Sequence, residues 1–168
     1  MDLLKKVKEI QQGAYYGENG EPIKVDLLPG LSLKQIEKVQ ENVPNKTLPP
    51  SFINLLKNTS AISFRYLHMD EISFTNFGEF GFNELIQSCL TLTGDGAGNF
   101  WIVEISSSGE WGEVYFICHD PPLIVKQANS FYEFLNQLHE FLLSTFDNLN
   151  QEHFVLKKIE SKKWKKFV

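Results

Sequence analysis

"LTGDGAGNFWIVEI", residues 92–105, has two readings, and the choice between them decides the fold. Gly94, Gly96 and Gly98 resemble the loop of a nucleotide-binding protein, yet glycines supply only permissive backbone and their neighbours decide its use. Phosphate loops join a strand to a helix, because the helix N-terminus presents free N–H groups and a positive dipole. Here Gly98 leads into "NFWIVEI", where Trp101, Val103 and Ile105 alternate as in a strand. The run also lacks the G-x-G-x-x-G spacing and a following Lys-Ser/Thr, and it carries Asp95 where a phosphate would sit. The stretch is therefore a β-hairpin turn that needs a positive φ.

Antiparallel structure extends outward from that turn. Cys89 to Thr93 pairs with Asn99 to Ile105, "SSSGEWG" turns the chain into "EVYFICH", and "LIVKQA" follows as a last strand. Upstream, Ile62, Phe64 and Tyr66 alternate, "HMDE" turns, and Ile72 and Phe74 resume the alternation. The connections are too short for parallel crossovers, so the spacing predicts a six-stranded, mainly antiparallel meander. Helices flank it. Leu3, Leu4, Val7 and Ile10 have helical spacing up to Gly13, while residues 13–30 read as an irregular connection rich in Gly, Pro and Asn. Ser32 and Gln35 form a capping box ahead of Leu33, Ile36, Val39 and Val43, and Pro44 ends that helix. Pro49 and Pro50 open a short third helix with Phe52, Leu55 and Leu56 on its apolar stripe. Ser130 and Glu133 cap a long last helix carrying Phe131, Leu135, Leu138, Leu142 and Phe146. The fold class is α+β.

The 168 residues suit one domain, with a core over about 30–147, an N-terminal helical extension at 1–29 and a basic tail at 148–168. The net charge of −5 hides an asymmetry, since residues 151–168 carry six lysines against Glu152 and Glu160. Between Arg65 and Lys126 there are nine acidic residues and no Lys or Arg. Such a body repels nucleic acid and attracts basic proteins. No apolar run is long enough to cross a membrane, and "MDLLKKVKEI" lacks the apolar block of a signal peptide, so the expected location is the cytoplasm. Cys89 and Cys118 lie in apolar segments and read as buried, reduced thiols.

Catalysis finds little support. Cys118, His119 and Asp120 have the side chains of a thiol hydrolase, but strand neighbours point to opposite faces. His68, Asp70, Glu71 and His119 lack metal-ligand spacing, so no metal or other cofactor is expected. The loop acids Asp70, Glu71, Glu79, Asp95, Glu110 and Asp120 instead form a candidate protein-binding set. Glu104, Glu113 and Tyr115 join it on the sheet face opposite Trp101, a mixed face that suits a basic ligand or a covering helix equally. Trp111, in the turn between Glu110 and Glu113, reads as an exposed anchor. The tail "FVLKKIESKKWKKF" places Leu156, Ile159, Trp164 and Phe167 in one helical arc; packing on the acidic body is favoured over a membrane-surface or nucleic-acid role.

The order of these signals resembles the SUKH superfamily, which includes fungal cell-wall-assembly (glucan synthesis) regulators and many bacterial immunity proteins. The resemblance rests on "LSLKQIEKVQENVPNKTLPPSFINLLKNTS", "GDGAGNFWIVEI", "GEVYFICHD" and "ANSFYEFLNQL", spanning about residues 30–145. It implies an α+β fold without catalytic machinery, in which many bacterial members neutralise a co-encoded toxin by binding it. The expectation is a non-enzymatic immunity protein that covers a nuclease-type toxin with an acidic surface; a regulatory interaction module is the alternative, and a small-ligand-binding domain a third.

Overall fold

A computed structural model describes residues 2–17, 19–64, 71–78, 86, 88–94, 98–119, 122–143 and 165–166. Helix α1, Leu3–Gln12, starts where the Asp2 carboxylate accepts from the Lys5 backbone N–H at 3.1 Å, and it buries Leu3, Val7 and Ile10. It stops at Gly13 for a packing reason. A Cβ there would lie 2.0 Å from the Tyr15 hydroxyl, which donates to the Ile10 carbonyl at 2.7 Å. Burial pushes the Tyr15 phenol up to about 12.

The segment expected to be irregular contains three strands: β1 (Tyr15–Tyr16), β2 (Pro22–Ile23) and β3 (Val25–Pro29). Helix α2 (Leu33–Gln40) has both halves of the capping box, Ser32 Oγ accepting from Gln35 N and Gln35 Oε1 accepting from Ser32 N at 2.9 Å. Ile36 and Val43 are buried, but Leu33, in the first turn, is 65% exposed rather than part of that face. Helix α3 (Pro50–Asn58) runs directly into β4 (Thr59–Phe64). Then come β5 (Glu71–Ser73), β6 (Phe77–Gly78), β7 (Ser88–Gly94), β8 (Phe100–Ile105), β9 (Trp111–His119), β10 (Pro122–Ala128), α4 (Phe131–Leu143) and β11 (Lys165–Lys166). Tyr66 and Phe146 lie outside the described residues.

All the strand pairs are antiparallel, but they do not form one six-stranded meander. The first expected hairpin, β4 and β5, joins β3 in a separate sheet ordered β3-β4-β5. The main sheet is ordered β11-β10-β9-β8-β7-β6, five strands from residues 77–128 with the two-residue β11 at one edge. Gly98, at φ 91°, supplies the positive φ of the β7–β8 turn.

The large core lies against one face of the main sheet. Leu90, Trp101, Val103, Ile105 and Val114 meet Val7 and Ile10 of α1, Phe52 and Leu55 of α3, and Phe134 and Leu138 of α4. A buried chain of amides ties α4 to this face: Trp101 Nε1 donates to Gln127 Oε1 at 3.4 Å, and Gln127 Nε2 to Gln137 Oε1 at 2.9 Å. At the start of α4, Ser130 Oγ accepts from Glu133 N at 3.2 Å, while Glu133 Oε2 reaches back to Asn129 N at 2.9 Å, one residue beyond the expected box. The opposite face carries a small cluster of Ile86, Cys89, Ile102, Ile117 and Ile124. Cys89 is buried and Cys118 half-buried.

Helix α1 meets α4 at a titratable contact. Lys6 Nζ lies 2.9 Å from His139 Nδ1, with Glu9 3.5 Å from the same ammonium and the Tyr15 ring edge-on to the imidazole at 6.2 Å. Burial lowers the His139 pKa, and the Lys6 charge lowers it further against the opposing pull of Glu9 and Glu140. Because the folded value lies below the ordinary one near 6.5, the unfolded chain binds more protons as pH falls. The contribution is complete above about 6.5 and is lost as pH falls toward the depressed value. Urea unfolding of the parent and of His139→Phe at about pH 7 and about pH 5 should show the smaller acid loss in the variant; equal losses would remove His139 from the account.

Candidate functional site

The β8–β9 connection is a tight turn closed by its own serines. Ser106 N donates to the Glu110 carbonyl at 2.9 Å, Glu110 N donates to Ser106 Oγ at 3.0 Å, and Gly109 sits at φ 82°. A Cβ at Gly109 would meet the Pro44 carbonyl at 3.1 Å, so this turn rests on the Pro44–Lys46 turn, where Asn45 and Lys46 also hold positive φ. Glu110, which closes the turn, is exposed.

Trp111 departs from the exposed anchor expected of it. The turn closes two residues earlier, at Glu110, so Trp111 is the first residue of β9, opposite Ile105, and its side chain falls on the core face. The indole packs on Phe52 at 4.4 Å, with Phe77 and Phe131 at 6.1 and 6.3 Å. Its Nε1 is buried and finds no acceptor among the described residues.

On the second face the register brings Glu104, Glu113 and Tyr115 together, as the alternation predicts. Tyr115 stands opposite Ile102 on β8 and Lys126 on β10. Its hydroxyl donates to Glu113 Oε2 at 2.7 Å, and Lys126 Nζ donates to Glu113 Oε1. Burial raises the Tyr115 pKa, and the nearby Glu104 charge raises it further. Lys126 is a member that the reading for acids missed. Its signal is present in the sequence, because Ile124 and Lys126 share strand parity on the face that carries Ile117 and Tyr115.

Glu71 belongs to a third place. It is exposed at the start of β5, on the rim of an open groove of about 250 Å³ lined also by Ser73, Asn76, Thr91, Thr93 and Phe100. The groove lies between the two sheets, with lining residues from β5 and from β7. Phe100, in the groove lining, is at one end of β8 and Ile105, opposite Trp111, at the other, so the groove and the Glu110 turn flank opposite ends of that strand, which is roughly 17 Å long. Asp70, Glu79, Asp95 and Asp120 lie outside the described residues; Asp70 and Asp95 are the chain neighbours of Glu71 and of Gly94, which also lines the groove.

Chemically the groove offers a carboxylate, hydroxyls, an amide and an aromatic ring, a set suited to holding a cation or a peptide. Cys118 and His119 are neighbours on β9, opposite Leu123 and Pro122. Among the described residues no three His, Cys, Asp or Glu side chains gather as a metal site, and no helix is long and apolar enough to cross a membrane.

An antiparallel sheet with helices against one face, and carboxylates on its second face and at loop ends, defines an α+β class of protein with surfaces suited to holding another molecule. Residues 30–137, well over half of the chain, match the SMI1/KNR4 family (SUKH-1), and the chain belongs to that family. Comparison with curated proteins and with solved structures returns no match for either.

Proposed function

We propose that the chain is a non-enzymatic immunity protein that neutralises a basic protein toxin, of the nuclease kind, by docking an acidic surface over the toxin's phosphate-binding cleft. The observation that carries this reading is the groove, whose lining contains Glu71 and Gly94, the chain neighbours of Asp70 and Asp95. The interval from Arg65 to Lys126 has no cation of its own to cancel these acids. Among the described residues Glu113 is paired by Lys126, whereas Glu71 and Glu110 stand exposed. A cytoplasmic location agrees with a partner made in the same cell. Family membership supports a regulatory module of the cell-wall-assembly type as the second reading. A toxin gene beside this one favours immunity, and its absence favours regulation.

The test is association kinetics with the neighbouring gene product across a salt series. Glu71→Lys should slow binding about tenfold at low salt and flatten the salt dependence, since a reversed charge at the docking end opposes steering. Glu110→Lys, at the turn beyond the other end of β8, should have a smaller effect. Equal association rates at low and high salt, with both reversals tolerated, would reduce the acidic interval to a solubilising surface.

A further inference from the structure

The groove between the two sheets is bordered by strand edges that have no described strand beside them. Strand β5 ends the order β3-β4-β5. On the side away from β8, β7 is joined only as far as Thr91: β6 pairs with Leu90 and Cys89, and the Asn76 carbonyl accepts from Thr91 N at 2.9 Å. Beyond that bond Leu92, Thr93 and Gly94 line the groove, together with Glu71 and Ser73 of β5. An open strand edge presents carbonyl oxygens as well as N–H groups. We infer that the groove receives one arginine side chain of a basic protein partner, its guanidinium held between the Glu71 carboxylate and the Phe100 ring; this rests on the docking reading above and names the contact at its centre.

Three observations choose this occupant. First, the volume of about 250 Å³ falls below the roughly 300–1,000 Å³ of a small-molecule pocket and suits a single long side chain. Second, the polar lining accepts. The Thr93 hydroxyl gives its proton to the Gly94 carbonyl at 3.2 Å, Ser73 Oγ is engaged with Thr75 N and Thr75 Oγ1 at 3.3 and 3.2 Å, and Glu71 offers only oxygens. None of the described lining residues is a cation. An anion would therefore meet a carboxylate and spent hydroxyl protons, whereas a guanidinium, with five N–H donors and no acceptor, meets oxygens. Third, one wall is a fixed aromatic ring. Phe100 stands opposite Gly94 in the register, where a Cβ would lie 3.2 Å from its ring, and it packs on the small isoleucine cluster of the second face. A planar cation can stack on such a ring while its edge donates to the oxygens. The ammonium of lysine, compact and strongly hydrated, matches that combination less well.

The experiment titrates the full, isotope-labelled chain with N-acetylarginine amide, N-acetyllysine amide and N-acetylcitrulline amide at fixed ionic strength and follows its backbone amide resonances. Citrulline keeps the shape of arginine without its charge. Arginine amide should shift Ser73, Thr93 and Gly94 along a saturating curve with a Kd on the order of 10 mM, lysine amide should bind about threefold or more weakly, and citrulline amide should leave them in place. Glu71→Gln should weaken the arginine complex about threefold or more, whereas Glu37→Gln, an exposed carboxylate on α2, should not change it. Absence of a saturable shift at these residues up to about 100 mM arginine amide, or equal shifts from citrulline amide, would overturn the inference. The docking reading is judged separately, by the partner's association rate. If arginine amide does not bind while Glu71→Lys still slows association, the guanidinium site is struck and the docking surface stands. If arginine amide binds while association is indifferent to Glu71→Lys, the guanidinium site stands and the docking reading is struck.

Discussion

Phe52→Ala is expected to lower the unfolding free energy by about 3–5 kcal/mol, enough to consume much of a domain's stability. Phe52 is fully buried in the first half of α3, and its ring is the meeting point of four others. Phe74, Phe77 and Phe131 stand edge-on to it at 6.4, 6.0 and 6.1 Å, and the Trp111 indole lies at 4.4 Å. These partners come from the β5–β6 segment, from the start of α4 and from β9, so one truncation opens a cavity between three layers of the fold. The loss would extend to the surface turn at Glu110, because Trp111 seats that turn on the core. Leu33→Ala, at an exposed apolar site on α2, is the control and should change stability by no more than about 0.5 kcal/mol. Denaturant unfolding at a common m-value measures both. A Phe52→Ala loss below about 1 kcal/mol would mean that the aromatic cluster repacks and does not hold these layers together.

What was legible in the sequence was what local chemistry determines. The positive φ at Gly98, the Ser32–Gln35 box and the prolines opening α3 each act within a few residues, so their positions alone disclose them. Strand β3 was hidden because "VDLLP" has no clear alternation and ends in proline, and it finds its partner only in β4, thirty or more residues later. The division into two sheets was hidden for a related reason. At "SFTN" the Ser73 hydroxyl accepts from Thr75 N at 3.3 Å, so a side chain takes the backbone donor that a longer strand would pair. Phe74 N still donates to Ser60 in the small sheet, and the Asn76 carbonyl already accepts from Thr91 in the large one. The chain changes sheets within two residues, and a count of alternating segments cannot register that.

The candidate site divides along the same line. Strand parity put Glu104, Glu113 and Tyr115 on one face, because side-chain alternation follows directly from the pleat. It failed for Trp111, whose place depended on whether the turn closed at residue 110 or beyond it, a choice made by the Ser106 hydroxyl. Sequence also treats nine acids as one set. The fold separates the described ones into a groove rim, a sheet face and the closing position of a turn, which is why the charge reversals at Glu71 and Glu110 should differ in effect.

Gln127→Leu should destabilise the protein by about 2–5 kcal/mol despite replacing a polar core side chain with an apolar one of similar size. Gln127 is 3% exposed on β10 and joins Trp101, which is fully buried, to Gln137 on α4. Leucine at 127 would leave the Trp101 N–H without its acceptor and the Gln137 carbonyl without its donor, and an unpaired buried group costs about 1–3 kcal/mol. The Gln137 amide also donates to Glu133 Oε1 at 3.4 Å, and Glu133 holds Asn129 at the start of α4, so the disturbance reaches the helix cap. Pairing the change with Gln137→Leu removes one of the two orphaned groups. The double variant should therefore be less destabilised than the sum of the two single changes, by about 1 kcal/mol or more, a coupling read from a double-mutant cycle. Additive losses would mean that water or a shifted neighbour satisfies Trp101 and Gln137 on their own, and that the amide chain is not what fastens α4 to the sheet.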